Sequence, residues 1–287
     1  MGGEGSLLQR GGERRQLFES LTLWARERRP FVVATVTSTG GSTPRYVGAT
    51  MAFRLNEQVG TVGGGAFEHH LQQEAMRLIN AYSESGRQAP RQKVVDVHLV
   101  HELGMCCGGK MSALLNRYDP APSLWLCGAG HINQAIAQHA SLLGWQITIL
   151  DERAEWIHSE RLPAEVRRID DDLEASLLRD PPKEDDFVLI ATHDHQLDER
   201  IVECLLLHPP AYLGLIGSRG KWGRFRRRLS ARGIPAEMLD RVSCPAGLPI
   251  GGEEPHEIAL SVLAELVQLC HAPQPAPSPL STPALKN

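Results

Sequence analysis

From residue 123 to residue 151 the chain reads as strand, glycine turn, helix, strand and carboxylate, an order that few folds accommodate. Residues 124–127 form a short apolar run that leads into Gly128-Ala129-Gly130. Ile132, Ala135, Ile136 and Leu143 then recur at roughly helical spacing, and Gly144 supplies a stop. A second apolar run, 145–150, ends in Asp151, which stands 23 residues beyond Gly128. This is the layout of a dinucleotide-binding βαβ unit. Its glycines let backbone N–H groups approach a phosphate at the positive end of the helix. Asp151 can accept hydrogen bonds from a ribose or another polyol. One part of the fingerprint is missing, because Asn133 stands where a third glycine would be.

Downstream the alternation continues, with strands expected at 166–169, 186–192 and 212–217 and helices at 173–178, 197–207 and 218–232. A last helix, 253–270, carries apolar residues on most faces and is expected to be largely buried. Strands alternating with helices imply a doubly wound parallel sheet. Upstream, an amphipathic helix at 14–29 stops at Pro30 and a β-branched strand occupies 31–37. A strand pair, 49–55 and 58–62, turns at Asn56-Glu57, a helix spans 66–82, and strands follow at 93–100 and 111–115. The fold class is therefore α/β, a C-terminal Rossmann-like doubly wound parallel sheet preceded by a smaller α+β domain. The expected domains are 14–117 and 123–271, joined by a stiff Pro-containing linker at 118–122. The Gly-rich residues 1–13 and the Pro-rich residues 272–287 are expected to be disordered tails.

Composition serves mainly to exclude. A net charge of −4 argues against a general nucleic-acid binder, and no apolar stretch reaches the length of a membrane span. The opening Met-Gly-Gly-Glu-Gly lacks the charged-then-apolar order of a secretory leader. Six cysteines, none in CxxC spacing, do not make a disulfide framework in 287 residues. A soluble, cytoplasmic protein is expected.

Parallel sheets bind ligands at the carboxyl ends of their strands, where the distinctive residues of the second domain gather. Gly128, Gly130, His131 and Asp151 belong there, as do His193 and His195. Gly217 and Ser218 at a helix start, backed by Arg219 and Lys221, suit an anion. Arg224, Arg226, Arg227 and Arg228 further along that helix read as a solvated face. His193-Asp194-His195 with Asp198 could suggest a metal, but no third His or Cys stands at ligand spacing, so no metal site is assigned.

In the first domain, Gly63, Gly64 and Gly65 precede a helix and offer unencumbered N–H donors. Glu68 falls in that helix's first turn, where it is either a ligand contact or simply favourable for the dipole. Ser42, Thr43 and Arg45 pair hydroxyls with a guanidinium, a combination suited to phosphate. Cys107 before Gly108 and Gly109 is either a small buried hydrophobe or an exposed soft thiolate. No Ser-His-Asp order, carboxylate pair or activated lysine stands out as a catalytic engine, so no catalytic residue is assigned. The residues describe a binding cleft, expected between the two domains, for a phosphorylated, polar, nucleotide-like or bicyclic molecule.

Taken together, these strings resemble the XdhC/CoxI family. The match rests on Gly41-Ser-Thr-Pro-Arg45, Gly60-Thr-Val-Gly-Gly-Gly65 with Glu68, Cys107-Gly108-Gly109, Gly128-Ala-Gly-His131, Asp151, Thr192-His-Asp-His195 with Asp198, and Gly214-Leu-Ile-Gly-Ser-Arg219 with Lys221. Pro245-Ala-Gly247 and the helix that follows complete it, over roughly residues 15–271. The resemblance implies a chaperone rather than an enzyme. It would bind the molybdenum cofactor (molybdopterin type) as cargo and protect it while a cysteine desulfurase installs the terminal sulfur. It would then deliver the cargo to the molybdenum subunit of xanthine dehydrogenase, and act as a homodimer. Other branches of the family carry a cysteine two residues before the glutamate of the glycine–helix motif. Here that place is Ala66, which leaves Cys107 as the motif thiol. The βαβ unit alone would suit a different class, an NAD(P)-dependent oxidoreductase with NAD(P) as cofactor.

Overall fold

The structure, a computed structural model, describes residues 4–41, 43, 45–63, 65–86, 89–99 and 109–271, with residues 4–11 as backbone. The chain separates into two units, one running to Pro120 and the other from Ala121 to Cys270.

The first unit holds α1 (Glu4–Arg26), β1 (Phe31–Gly40), β2 (Thr50–Arg54), β3 (Glu57–Gly60), α2 (Gly65–Ser85), β4 (Gln92–His98) and β5 (Lys110–Tyr118). Its five strands form an antiparallel sheet in the order β3-β2-β1-β5-β4. Alternate residues of a strand face opposite sides, and both sides are used. Val32, Ala34 and Val36 of β1 meet Phe67, Leu71 and Ala75 of α2. Phe31 and Val33, pointing the other way, pack with Leu17, Leu21 and Trp24 of α1. The β2–β3 hairpin closes over Leu55 and Asn56, with Arg54 opposite Glu57; Asn56 takes φ 65°, a left-handed value that asparagine tolerates.

Two expectations change here. Residues 4–13, expected to be disordered, are helical and continue α1. Once a helix is nucleated, each added residue gains a hydrogen bond, and a Gly-rich composition alone did not reveal that continuation. Tyr118, placed in the linker, ends β5 opposite Phe31, with the two rings stacked 5.2 Å apart. Residues 1–3 and 272–287, the remaining expected tails, lie outside the described residues.

The second unit holds β6 (Ser123–Cys127), α3 (His131–Leu142), β7 (Gln146–Leu150), α4 (Ala154–Ile157), β8 (Arg167–Ile169), α5 (Leu173–Arg179), β9 (Phe187–Ile190), α6 (His195–Leu206), β10 (Tyr212–Leu215), α7 (Arg219–Ala231), α8 (Ala236–Leu239), β11 (Val242–Ser243) and α9 (Pro255–His271). All six strands are parallel, in the order β11-β10-β9-β6-β7-β8. The chain winds outward from β6 to β8, returns, and winds the other way from β9, so strand order reverses between β6 and β9. This is the doubly wound Rossmann arrangement with its switch point.

A sheet covered on both faces needs strands that are apolar throughout, as Leu124, Trp125, Leu126 and Cys127 are. Leu124 and Leu126 face α3 and α9, through Ile136, Ala140, Val262 and Leu266. Trp125 and Cys127 face α5, α6 and α7, through Leu177, Ile201, Phe225 and Leu229. Contrary to expectation, α9 is buried on one face only. Leu260, Val267 and Leu269 are 55%, 36% and 43% exposed, because a helix laid against one face of a sheet keeps its outer side open. Among the described residues no helix is long and apolar enough to cross a membrane.

Candidate functional site

The site is built at the carboxyl ends of β6, β9 and β10. After β6 the chain turns at Gly128, whose φ is +98°. A Cβ there would stand 2.5 Å from the Ala191 carbonyl oxygen, so only glycine lets the ends of β6 and β9 come together. Asn133, in the place of a third glycine, acts as a clamp. Its Nδ2 donates to the carbonyls of Cys127 (3.1 Å) and Gly128 (2.7 Å), while Gln134 Nε2 donates to that of Ala129 (3.0 Å). A Cβ at Gly130 would meet nothing within 4 Å, leaving the backbone before α3 open to approach.

After β9, Thr192 donates from its N–H (3.0 Å) and its hydroxyl (2.7 Å) to Asp198 Oδ1. Asp198 is fully buried, and its Oδ2 accepts from Lys221 Nζ at 2.7 Å. The lysine also donates to the Ile216 carbonyl at 3.0 Å, so one amine joins the first turn of α6 to the turn after β10. Gly217 makes room for it, because a Cβ there would lie 2.5 Å from Lys221 Cδ. Ser218 caps α7, its hydroxyl accepting from the Lys221 N–H at 3.2 Å. Beside this turn the Cys244 thiol lies 3.6 Å from the Gly217 carbonyl; burial, opposed by nearby Lys221, pushes its pKa up to about 11. It is therefore a protonated packing residue near neutral pH.

These turns enclose a cavity of about 600 Å³. Gly130 and His131 line it from one side, Thr192, His195 and Asp198 from the second, and Gly217, Ser218 and Lys221 from the third. Arg224, Glu253 and Pro255 also line it, with Ile132, Ala191 and Ile216 as its apolar wall. The His195 imidazole is exposed, 3.6 Å from Asp198 Oδ2. A buried ammonium, a second cation one helical turn on and open glycine backbone suit an anionic, polar ligand. Among the described residues no group of three or more His, Cys, Asp and Glu gathers at metal-ligating distance.

Of the residues singled out in this half, Gly130, His131, His195, Gly217, Ser218 and Lys221 come together on the cavity. The others take different roles. Gly128 is a packing glycine. His193 and Arg219 are exposed and do not line the cavity. Asp151, expected to offer a free carboxylate, is 2% exposed and already engaged: Oδ2 accepts from Ala129 N (2.6 Å) and Arg153 Nη2 (2.7 Å), and Oδ1 from Arg153 N (3.0 Å) and Nε (2.9 Å). Arg224, expected on a solvated face, is exposed and also borders the cavity, while Arg226 pairs with Asp240 and Arg228 with Glu199. The signal that would have found Arg224 is its i, i+3 spacing from Lys221, which puts both on one side of α7.

The first unit repeats the theme. Glu68 Oε1 accepts from Thr61 Oγ1 (2.5 Å), Val62 N (3.0 Å) and Gly63 N (3.1 Å), so its carboxylate occupies the glycine turn. Gly65 opens α2 and Gly109 is buried, its carbonyl accepting from Leu99 N. The Thr43 hydroxyl donates to the Arg45 carbonyl at 3.2 Å, and the Arg45 guanidinium lies 3.9 Å from Glu13. Arg45 also borders a largely apolar cavity of about 550 Å³ formed with Leu17, Phe18, Phe31 and Tyr118. Ser42, Gly64, Cys107 and Gly108 lie outside the described residues.

Comparison with known proteins agrees with the fold. Residues 124–266 match the model of the XdhC Rossmann domain, and residues 24–88 match that of the XdhC and CoxI family. The chain is 35% identical over 244 residues to the uncharacterized protein YqeB of Escherichia coli (strain K12), covering 84% of this chain and 43% of that protein. It is 34% identical over 154 residues to a probable xanthine dehydrogenase subunit of Bacillus subtilis (strain 168), covering 54% of this chain and 44% of that protein. The chain thus spans less than half the length of either curated relative. A solved structure described as a xanthine dehydrogenase from Bacillus halodurans superposes with a TM-score of 0.50 at 25% identity, covering 92% of this chain and 98% of that one.

Proposed function

The chain belongs to the XdhC and CoxI family, and on that premise we propose that it binds the molybdenum cofactor, shelters it and delivers it to xanthine dehydrogenase. The observation that carries this reading is the cavity at the switch point of the second unit. Molybdopterin-type cofactor carries a phosphate monoester on a polar fused-ring system. Lys221 and Arg224 supply positive charge for the phosphate, and Gly130 leaves backbone accessible beside it. His131, His195 and Glu253 offer hydrogen-bonding groups for ring edges. The volume, about 600 Å³, lies within the usual 300–1,000 Å³ range of small-molecule sites. The similarity to a probable xanthine dehydrogenase component of Bacillus subtilis supports the choice of recipient. A cysteine desulfurase acting on the held cargo, and a second copy of the chain, complete the proposed set of partners.

The test is to purify the protein from cells able and unable to make the cofactor, oxidise both samples and read pterin fluorescence. Pterin is expected in the first sample alone. Its absence from both, together with a fully active dehydrogenase in cells lacking the chain, would overturn the reading.

A further inference from the structure

We infer that Asp151 and Arg153 set the ligand specificity of the second unit, closing off the half of the switch-point site that a second nucleotide would need. Taking the cavity as the cargo site proposed above, the ligand it admits has one phosphate-bearing ring system and is not a dinucleotide.

In a sheet of this order a dinucleotide spans the switch point. Its pyrophosphate lies on the turn after the first strand, one ribose bonds the acidic residue ending the second strand, and the other half extends over the later strands. Here the first two contacts are satisfied within the chain. The N–H of Ala129, in the glycine turn, donates to Asp151 Oδ2 at 2.6 Å. Arg153 adds its backbone N–H at 3.0 Å and two guanidinium N–H groups at 2.9 and 2.7 Å. Each carboxylate oxygen then accepts two hydrogen bonds, which fills its in-plane acceptor capacity. An incoming ribose finds no acceptor, and the Ala129 N–H that a pyrophosphate would draw on is already donated to Asp151.

The arrangement is braced from outside. The Arg153 guanidinium lies 5.1 Å over the Trp156 ring, and Trp156 meets His131 edge-on at 5.0 Å. Burial alone would raise the Asp151 carboxyl, but the Arg153 hydrogen bond and the two backbone N–H groups outweigh it and hold the group ionised. The extent of the cavity is an independent observation. Its walls come from the turns after β6, β9 and β10 and from the approach to α9, and no residue of the β7 end lines it.

The test uses full-length protein from cells that cannot make the cofactor, titrated with NADH and with NADPH by fluorescence. Wild-type protein should bind neither saturably, NADPH being included because a free Arg153 could otherwise receive its 2′-phosphate. Arg153→Ala uncovers Asp151 as a ribose acceptor and should raise NADH affinity about tenfold or more. Arg153→Met, which keeps side-chain length but carries no hydrogen-bond donor, provides the same readout if the alanine variant does not fold. Saturable binding of either dinucleotide to the wild type would overturn the inference, as would variants no better than wild type. Pterin loading, read on wild-type protein from cofactor-competent cells, decides the functional proposal separately. That loading can fail while the titrations succeed, and the reverse.

Discussion

The Lys221 ammonium shows how a single side chain can serve fold and site together. Its side chain is 8% exposed and that of Asp198 is 1% exposed, so neither charge has water to fall back on. Each is stable there because the other is present at 2.7 Å and because Thr192 and the Ile216 carbonyl fill the remaining positions. The sequence pointed to Lys221 as an anion contact. In the folded chain its first duty is to Asp198, and the ligand meets a cation already fixed in place. Lys221→Ala should therefore destabilise the protein by about 3–5 kcal/mol, since it strands a buried carboxylate. Chemical denaturation checks this, and a loss comparable to that of an exposed lysine would show that Asp198 finds another partner.

At the scale of the element, the β6–turn–α3 segment derives its shape from Gly128 and Asn133. Gly128 combines φ +98° with a Cβ position 2.5 Å from a backbone oxygen, so neither side-chain rotation nor local flexing can relieve a substitution. Gly128→Ala should cost on the order of 3 kcal/mol. Gly130→Ala, at a position with open space and φ −66°, should be nearly neutral for stability. Thermal unfolding of the two variants provides the comparison, and equal losses would mean that the turn is held by something other than the β6–β9 approach. Asn133 shows why a departure from the fingerprint need not abolish the turn: its amide holds two carbonyls from inside.

Across the whole molecule, each unit contains a buried carboxylate held ionised by its partners. In the first unit burial would raise Glu74, but Lys93 and Arg77 outweigh it; in the second, Arg153 and backbone N–H groups do the same for Asp151. Both pKa values lie below their ordinary values of 4.5 and 3.8. A folded pKa below the unfolded one contributes stability that is complete above the unfolded value and lost as pH falls through the folded value. The melting temperature should thus stay level from neutrality to about pH 5 and fall below that. Asp151→Asn and Glu74→Gln should each flatten the acid limb, and a melting temperature that rises on acidification would contradict both assignments.

What the amino-acid order alone determined is the part that depends on local pattern. Period-two and helical spacing predicted the two classes of sheet, and the glycine turn at 128–130, the hairpin at Asn56 and the cavity-facing Gly217-Ser218-Lys221 were legible because neighbouring residues specify them. The tertiary structure decided which polar groups remain available. Asp151 takes one of its four hydrogen bonds from Ala129, 22 residues away, and the rest from nearby Arg153; Asp198 is satisfied by Lys221, 23 away, while Arg224 reaches the cavity only because α7 presents it there. Hydrogen-bond capacity is finite, and a carboxylate's partners are set by how strands and helices pack. A residue type and its spacing therefore announce a possible contact, and the fold determines whether that contact is already occupied.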